Sequence, residues 1–227
     1  MTQTTLETSE TRQDALRVLI VDDHDLFRTG LRNLLEEQGI QIVGEAAAGA
    51  EAIRSVRELA PDVVVMDLNM PGMTGVEATR QITSIAPLTR VLVLTISDQD
   101  SDVLDAILAG ACGYLLKDSS ITELMAGIRA ASVGESLISP TIASKVLQRV
   151  RSTSSVPAIA ETIRAELSDR EIEVLKLIAN GKDNANIAAE LHISPKTVKN
   201  HISNILMKLQ IDNRIQAAVY AVKSGIV

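Results

Sequence analysis

DVVVMDLNMPG, residues 62–72, decides the fold: an unbroken apolar run leads straight into a carboxylate, and the chain then turns through Asn, Pro and Gly. A strand with one wet face alternates apolar and polar residues. An unbroken run is buried on both faces, the situation of a parallel sheet covered by helices on either side. Working outward, the pattern recurs at RVLIV (17–21) and RVLVL (90–94), with weaker strand signals in IQIVGEA (40–46) and GYLLK (113–117). Helical periodicities fill the gaps at 25–38, 50–59, 75–85, 101–109 and 120–133. Two of them open with capping boxes, Thr74 with Glu77 and Ser120 with Glu123. Five successive strand–helix units require parallel strands joined by right-handed crossovers, so residues 15–138 are expected to form a doubly wound α/β domain on a five-stranded parallel sheet.

Open parallel sheets bind ligands beyond the carboxyl ends of their strands, where the strand order reverses. The sequence concentrates its chemistry there. Asp22 and Asp23 follow the first strand, Asp67 the third, Thr95 ends the fourth and Lys117 the fifth. Clustered carboxylates repel one another and are discharged by protonation or by a cation, and hard oxygen ligands favour Mg²⁺. A Mg²⁺ site beside a carboxylate nucleophile gathers a phosphoryl donor. Lys117 then offers a point charge, and the Thr95 hydroxyl a hydrogen bond, to phosphoryl oxygens. His24, at a loop–helix junction, and Asp25, Asp98, Asp100, Asp102 and Asp105 read as solvated positions.

The 227 residues are 46% hydrophobic, with no apolar run near the roughly 18 residues of a membrane span, which points to a soluble protein of two domains with no membrane partner. The polar residues 1–14 read as a disordered leader, and Cys112, the single cysteine, as a packing residue in a reducing cytoplasm. The formal charge of −7 is uneven: residues 14–139 hold 19 acidic groups against 9 basic, whereas 140–227 hold 12 basic against 8 acidic. The global acidity therefore does not exclude a nucleic-acid partner for the C-terminal part.

After Gly134 the strand signals stop. Residues 139–162, rich in Ser and Thr, read as a linker with a short helix at 141–150, and 163–227 as a small all-α domain. Ser168 with Glu171 caps its first helix and Gly181 stops it; a second spans 184–190, Ser194-Pro195 starts a third, and a fourth opens at Asp212. A tight turn between the middle pair makes a helix-turn-helix. In the third helix Val198, Ile202, Ile205 and Leu209 form an inward stripe, leaving Lys196, Lys199, Asn200 and Ser203 exposed for phosphates and base edges. His201 is expected to pack or touch backbone.

These motifs carry a resemblance. DD at 22–23, MDLNMPGMTG at 66–75, LT at 94–95 and GYLLKD at 113–118 resemble the receiver domain of bacterial response regulators, a flavodoxin-like fold, over about 17–134. LSDRE at 167–171, IAAELHIS at 187–194, TVKNH at 197–201 and Asn213-Arg214 resemble the LuxR-type helix-turn-helix of NarL/FixJ-type response regulators over about 167–223. The resemblance implies that Asp67 is the phosphoacceptor, that Asp22, Asp23, Asp67 and the Asn69 backbone carbonyl hold Mg²⁺, and that a sensor histidine kinase donates the phosphoryl group. It implies a switch pair, Thr95 and Tyr114, the aromatic turning inward behind the threonine. It also implies that Asn69 and Ser97 tune dephosphorylation. Promoter DNA is the implied target, with Lys199, Asn200 and Ser203 reading bases and Lys196, Thr197, Lys208 and Arg214 touching phosphates or packing. The resemblance further implies a homodimer when the protein is phosphorylated or DNA-bound, served by the last helix with Ile215, Val219 and Val222 on one side. Two positions depart from the pattern: Asp118 stands where many receivers have Pro, and Asn186 where the helix-turn-helix family usually has Glu.

Three other functions make different demands on the sequence. An aspartate-nucleophile phosphohydrolase needs a second Asp two residues after the nucleophile, and Asn69 stands there. A regulator sensing a small ligand needs an aromatic pocket, and the first domain offers only Phe27 and Tyr114. A helix-turn-helix that binds protein would show no salt-dependent duplex affinity.

Overall fold

A computed structural model of the chain describes residues 15–97, 100–138 and 167–227. The leader expected at 1–14 and the linker at 139–162 lie outside these residues. The first domain runs β1 (Arg17–Val21), α1 (Asp25–Glu37), β2 (Gln41–Ala46), α2 (Gly49–Leu59), β3 (Val63–Met66), α3 (Gly75–Ile85), β4 (Arg90–Thr95), α4 (Asp100–Leu108), β5 (Gly113–Leu116) and α5 (Ile121–Ser132). The second comprises α6 (Asp169–Ala179), α7 (Asn184–Leu191), α8 (Pro195–Leu209) and α9 (Arg214–Lys223).

The strands pair in parallel in the order β2-β1-β3-β4-β5, so the winding reverses between β1 and β3. Alternate residues of each central strand serve opposite layers, as period-two geometry demands. Val18, Ile20, Val63, Val65, Leu92 and Leu94 pack with Leu31 and Leu35 of α1 and Leu124 and Ile128 of α5. Leu19, Val21, Val64, Met66 and Val91 pack with Ile53 and Val56 of α2 and Ala78 and Ile82 of α3. Burial on both faces is what made the strands legible as unbroken apolar runs. Cys112 is a packing residue as expected, and burial pushes its thiol up to about 12.

Both sequence-read capping boxes in the first domain form, as does that of Ser168 with Glu171. The last helix starts two residues later than the sequence suggests. It opens at Arg214 behind the N-cap Asn213, whose side chain accepts from the Gln216 N–H at 2.9 Å. His192, left-handed at φ 53°, ends α7 and turns the chain into α8.

The two domains share a packed boundary. Val103, Ile107 and Tyr114 of the first belong to the same buried cluster as Val174, Ile205 and Val219 of the second. Polar ties cross it as well. The Asn213 amide donates to the Ala111 carbonyl at 2.9 Å and the Gln216 amide to the Ile107 carbonyl at 3.0 Å, fixing the start of α9 against the end of α4.

Candidate functional site

The β1–α1 and β3–α3 loops lie side by side because β1 pairs with β3: the Asp67 N–H donates to the Val21 carbonyl at 2.9 Å. This sets Asp22 and Asp67, each 2% exposed, next to one another. The Lys117 ammonium joins them, 2.6 Å from Asp22 Oδ2 and 3.0 Å from Asp67 Oδ2. The other Asp67 oxygen accepts from the Leu68 N–H at 2.8 Å, and Asp22 Oδ1 from the His24 N–H at 2.9 Å. Burial alone would push the Lys117 pKa down, but hydrogen bonds and charge from Asp22 and Asp67 outweigh it and hold the ammonium above the ordinary lysine value. The lysine is therefore a permanent cation in the pocket.

Ligand atoms of Asp22, Asp23, His24 and Asp67 all lie within 4.8 Å of one another. Asp23 Oδ1 is buried and accepts no hydrogen bond, although His24 Nδ1 stands 2.9 Å from it. Three carboxylates against a single ammonium, with one buried carboxylate oxygen unsatisfied, make a set of hard oxygen donors that fits a divalent cation. His24 is exposed, as expected, but it leans on the acidic pair rather than standing apart from it.

Thr95, fully buried at the end of β4, borders the pocket through its carbonyl, which accepts from the Lys117 N–H at 2.8 Å. Asn69 lies exposed in the loop after β3. Tyr114 is fully buried, its hydroxyl donating to the Ser97 carbonyl at 2.8 Å, so the ring expected to turn inward is already inside. Asp102 is not a merely solvated position, because its carboxylate accepts from the Ser97 hydroxyl and ties the start of α4 to the β4–α4 loop. That bond engages the hydroxyl of Ser97, one of the two residues expected to tune dephosphorylation. Gly75 is indispensable locally: a Cβ there would meet the Asp67 carbonyl oxygen at 2.0 Å.

In the second domain Val198, Ile202, Ile205 and Leu209 face inward and Lys196, Lys199, Asn200 and Ser203 are exposed, as the periodicity predicts. Pro195 sits in the first turn behind the Ser194 cap, whose hydroxyl is 2.8 Å from that of Thr197, so Thr197 helps to close the helix start. Lys208 is engaged elsewhere: its ammonium lies 2.7 Å from Glu171, which is nearly buried. Burial raises the Glu171 pKa, but Lys208 and the Ser168 hydrogen bonds outweigh it and leave the carboxyl below its usual value. Arg214 packs, donating to the Asn184 side chain at 2.6 Å and to the Lys182 carbonyl. Ile215, Val219 and Val222 are buried in the cluster that the two domains share. Lys199 donates to the Val133 carbonyl at 2.9 Å, so the first domain occupies one of the expected base readers.

Residues 18–129 match the response regulator receiver domain, and residues 165–221 match the bacterial regulatory proteins of the luxR family. The transcriptional regulatory protein LiaR of Bacillus subtilis is 46% identical over 213 residues, which is 93% of this chain and 99% of LiaR. The chain belongs to the LuxR-family response regulators. Solved members share the architecture. The response regulator ChrA of a haem-sensing two-component system is 36% identical with a TM-score of 0.51, over 94% of this chain and 99% of ChrA. RcsB of Salmonella enterica serovar Typhimurium, solved bound to the promoter rprA in the presence of the phosphomimetic BeF3⁻, is 27% identical with a TM-score of 0.52, over 93% of this chain and all of RcsB. This response regulator is accordingly a transcription factor with a receiver domain and a DNA-binding helix-turn-helix. No helix among its described residues is long and apolar enough to cross a membrane.

The sequence did not reveal the roles of Phe27, whose ring lies under Lys117, of Arg28, which donates to the Asp22 carbonyl at 2.6 Å, or of Asn213 and Gln216 as ties between domains. Glu171 was visible as a capping residue, but its ion pair with Lys208 is a tertiary contact with no local signal.

Proposed function

We propose that Asp67 accepts a phosphoryl group from a sensor histidine kinase in the cytoplasm and that the phosphorylated receiver releases the helix-turn-helix to bind promoter DNA as a homodimer. The observation that carries this is the Lys117 ammonium held between Asp22 and Asp67 in a buried, otherwise acidic pocket. An Asp67 carboxylate oxygen attacks phosphorus, an O–P bond forms, and the P–N bond of a phosphohistidine donor breaks with its electron pair leaving on nitrogen. Lys117 moves its charge from carboxylate to phosphoryl oxygen, and the Thr95 hydroxyl turns to donate to the same group. Asp22, Asp23, Asp67 and the Asn69 carbonyl would hold Mg²⁺, which when bound neutralises charge on the carboxylates and the phosphoryl oxygens.

Output runs through the β4–α4 segment. Thr95 and Ser97 lie two residues apart, Ser97 is tied to Asp102 and Tyr114, and Gln216 holds the Ile107 carbonyl in the last turn of α4 while Asn213 holds the Ala111 carbonyl just after it. A shift of Thr95 toward the phosphoryl group therefore pulls on α4 and weakens the boundary that keeps Lys199 from DNA. RcsB is solved bound to a promoter in the presence of a phosphomimetic, so in that relative the two states occur together. Exposed Lys196, Lys199, Asn200 and Ser203 then meet the major groove, with Thr197 shaping the helix start and Lys208 contributing mainly through Glu171. The residue assignments are tested by incubating the protein with Mg²⁺ and acetyl phosphate and weighing it intact. Wild type gains one phosphoryl mass and Asp67→Ala gains none; equal uptake by the two removes Asp67 from the role.

A further inference from the structure

Phe27 is the only phenylalanine of the chain, and it sits on the first turn of α1 directly after the acidic loop. Its ring centroid lies 4.5 Å from the Lys117 ammonium nitrogen. The lysine side chain is 10% exposed and has two carboxylate partners, so the ring supplies a third wall to a nearly desolvated cation. Its own helix is fastened to the pocket: Arg28, the next residue, donates to the Asp22 carbonyl and pairs with Glu45 on β2. Phe27 and Lys117 line one cleft of about 290 Å³ together with Leu26, Leu34 and Ile121, so on this side the lysine meets the ring at an open edge and not in a densely packed core.

We infer that Phe27 is a positioning residue for phosphoryl transfer, holding the Lys117 ammonium by a cation–π contact where it meets the incoming phosphoryl oxygens. This rests on the phosphoacceptor role proposed for Asp67. A face of negative quadrupole attracts an ammonium without competing for it as a carboxylate does. When Asp22 and Asp67 turn their oxygens to other partners, the ring still fixes the lysine on the correct side of the pocket. A four-carbon stem without that wall samples many rotamers, and the fraction with the charge in place falls.

The test compares Phe27→Leu and Phe27→Met, which keep apolar bulk, with Phe27→Tyr, which keeps the ring. Phosphoryl uptake from acetyl phosphate is followed by intact mass, Mg²⁺ affinity by calorimetry, and the Lys117 side-chain proton shifts by NMR. Leu and Met slow uptake roughly 5- to 30-fold, Tyr stays within about twofold of wild type, and Mg²⁺ affinity and melting temperature hold in all three. The upfield ring-current shift of the Lys117 methylene protons disappears in Leu and Met only. Uptake by Leu and Met at the wild-type rate overturns the inference, as does equal slowing by Tyr, or slowing accompanied by an equal loss of Mg²⁺ affinity. A wild-type protein that gains no phosphoryl mass on Asp67, with the ring-current shift intact, instead overturns the phosphoacceptor reading.

Discussion

Asn213→Asp and Gln216→Glu isolate the tie between the domains from everything else those side chains do. Each replacement is isosteric and keeps the oxygen that serves α9: Asn213 Oδ1 accepts from the Gln216 N–H, and Gln216 Oε1 accepts from the Asp212 N–H at 2.8 Å. Asp at an N-cap and Glu in the first turn suit a helix N-terminus, so the domain itself does not weaken. Only the amide donors to Ala111 and Ile107 are lost, and carboxylates then face two carbonyls. A buried acceptor left without its donor costs about 1–3 kcal/mol per site, which moves a closed–open equilibrium about 5- to 150-fold. Fluorescence anisotropy on a labelled promoter duplex at fixed salt reads the outcome. Unphosphorylated variants bind more tightly than unphosphorylated wild type, although an added negative charge by itself weakens DNA binding. The sign therefore separates release from electrostatics. Wild-type or weaker affinity in both variants, with melting temperature unchanged, refutes the idea that these bonds hold the reader shut.

Other consequences follow from single contacts. Gly75→Ala drives a methyl into the Asp67 carbonyl and displaces the loop that carries Asp67, so about 1–3 kcal/mol of receiver stability is lost in denaturant titration together with the phosphoryl uptake proposed for that residue. The Glu171 carboxyl is depressed in the folded protein, so its stabilisation is complete above the ordinary carboxyl range and fades as pH falls through the depressed value. Glu171→Gln accordingly lowers the melting temperature of the helix-turn-helix at neutral pH and flattens its acid limb. Cys112, with its thiol at about 12, stays unreactive to a thiol-specific disulfide reagent until the receiver unfolds, and modification then tracks global unfolding.

Much of the first domain was readable because each of its strands announces itself. Val63 to Met66 are buried on both faces, and a run with that burden has no polar residue to spare until its end, where Asp67 stands. The acidic pocket inherits that legibility: strand ends must converge in a parallel sheet, so Asp22, Asp67 and Lys117 were gathered by topology alone. The aromatic wall was not readable, because Phe27 meets Lys117 from a helix across the sheet edge, and a lone aromatic on an apolar face looks like core. Asp212 and Asn213 are both fit to cap a helix, and only the bond from the Gln216 N–H decides between them. The boundary between the domains was the least visible. Its acceptors are backbone carbonyls of Ile107 and Ala111, which carry no side-chain signature, and its donors lie more than 100 positions along the chain. Lys208 illustrates the same limit, since an exposed lysine on a recognition helix reads as a phosphate contact until a buried carboxylate is found beneath it.

Whether phosphorylation of Asp67 opens the way to DNA is read from one titration: promoter-duplex affinity before and after acetyl phosphate with Mg²⁺, for wild type and Asp67→Ala. Affinity of the wild type rises on treatment while that of Asp67→Ala stays where it began. An affinity that does not change in the wild type despite a gained phosphoryl mass, or that rises equally in Asp67→Ala, shows that Asp67 does not control DNA binding.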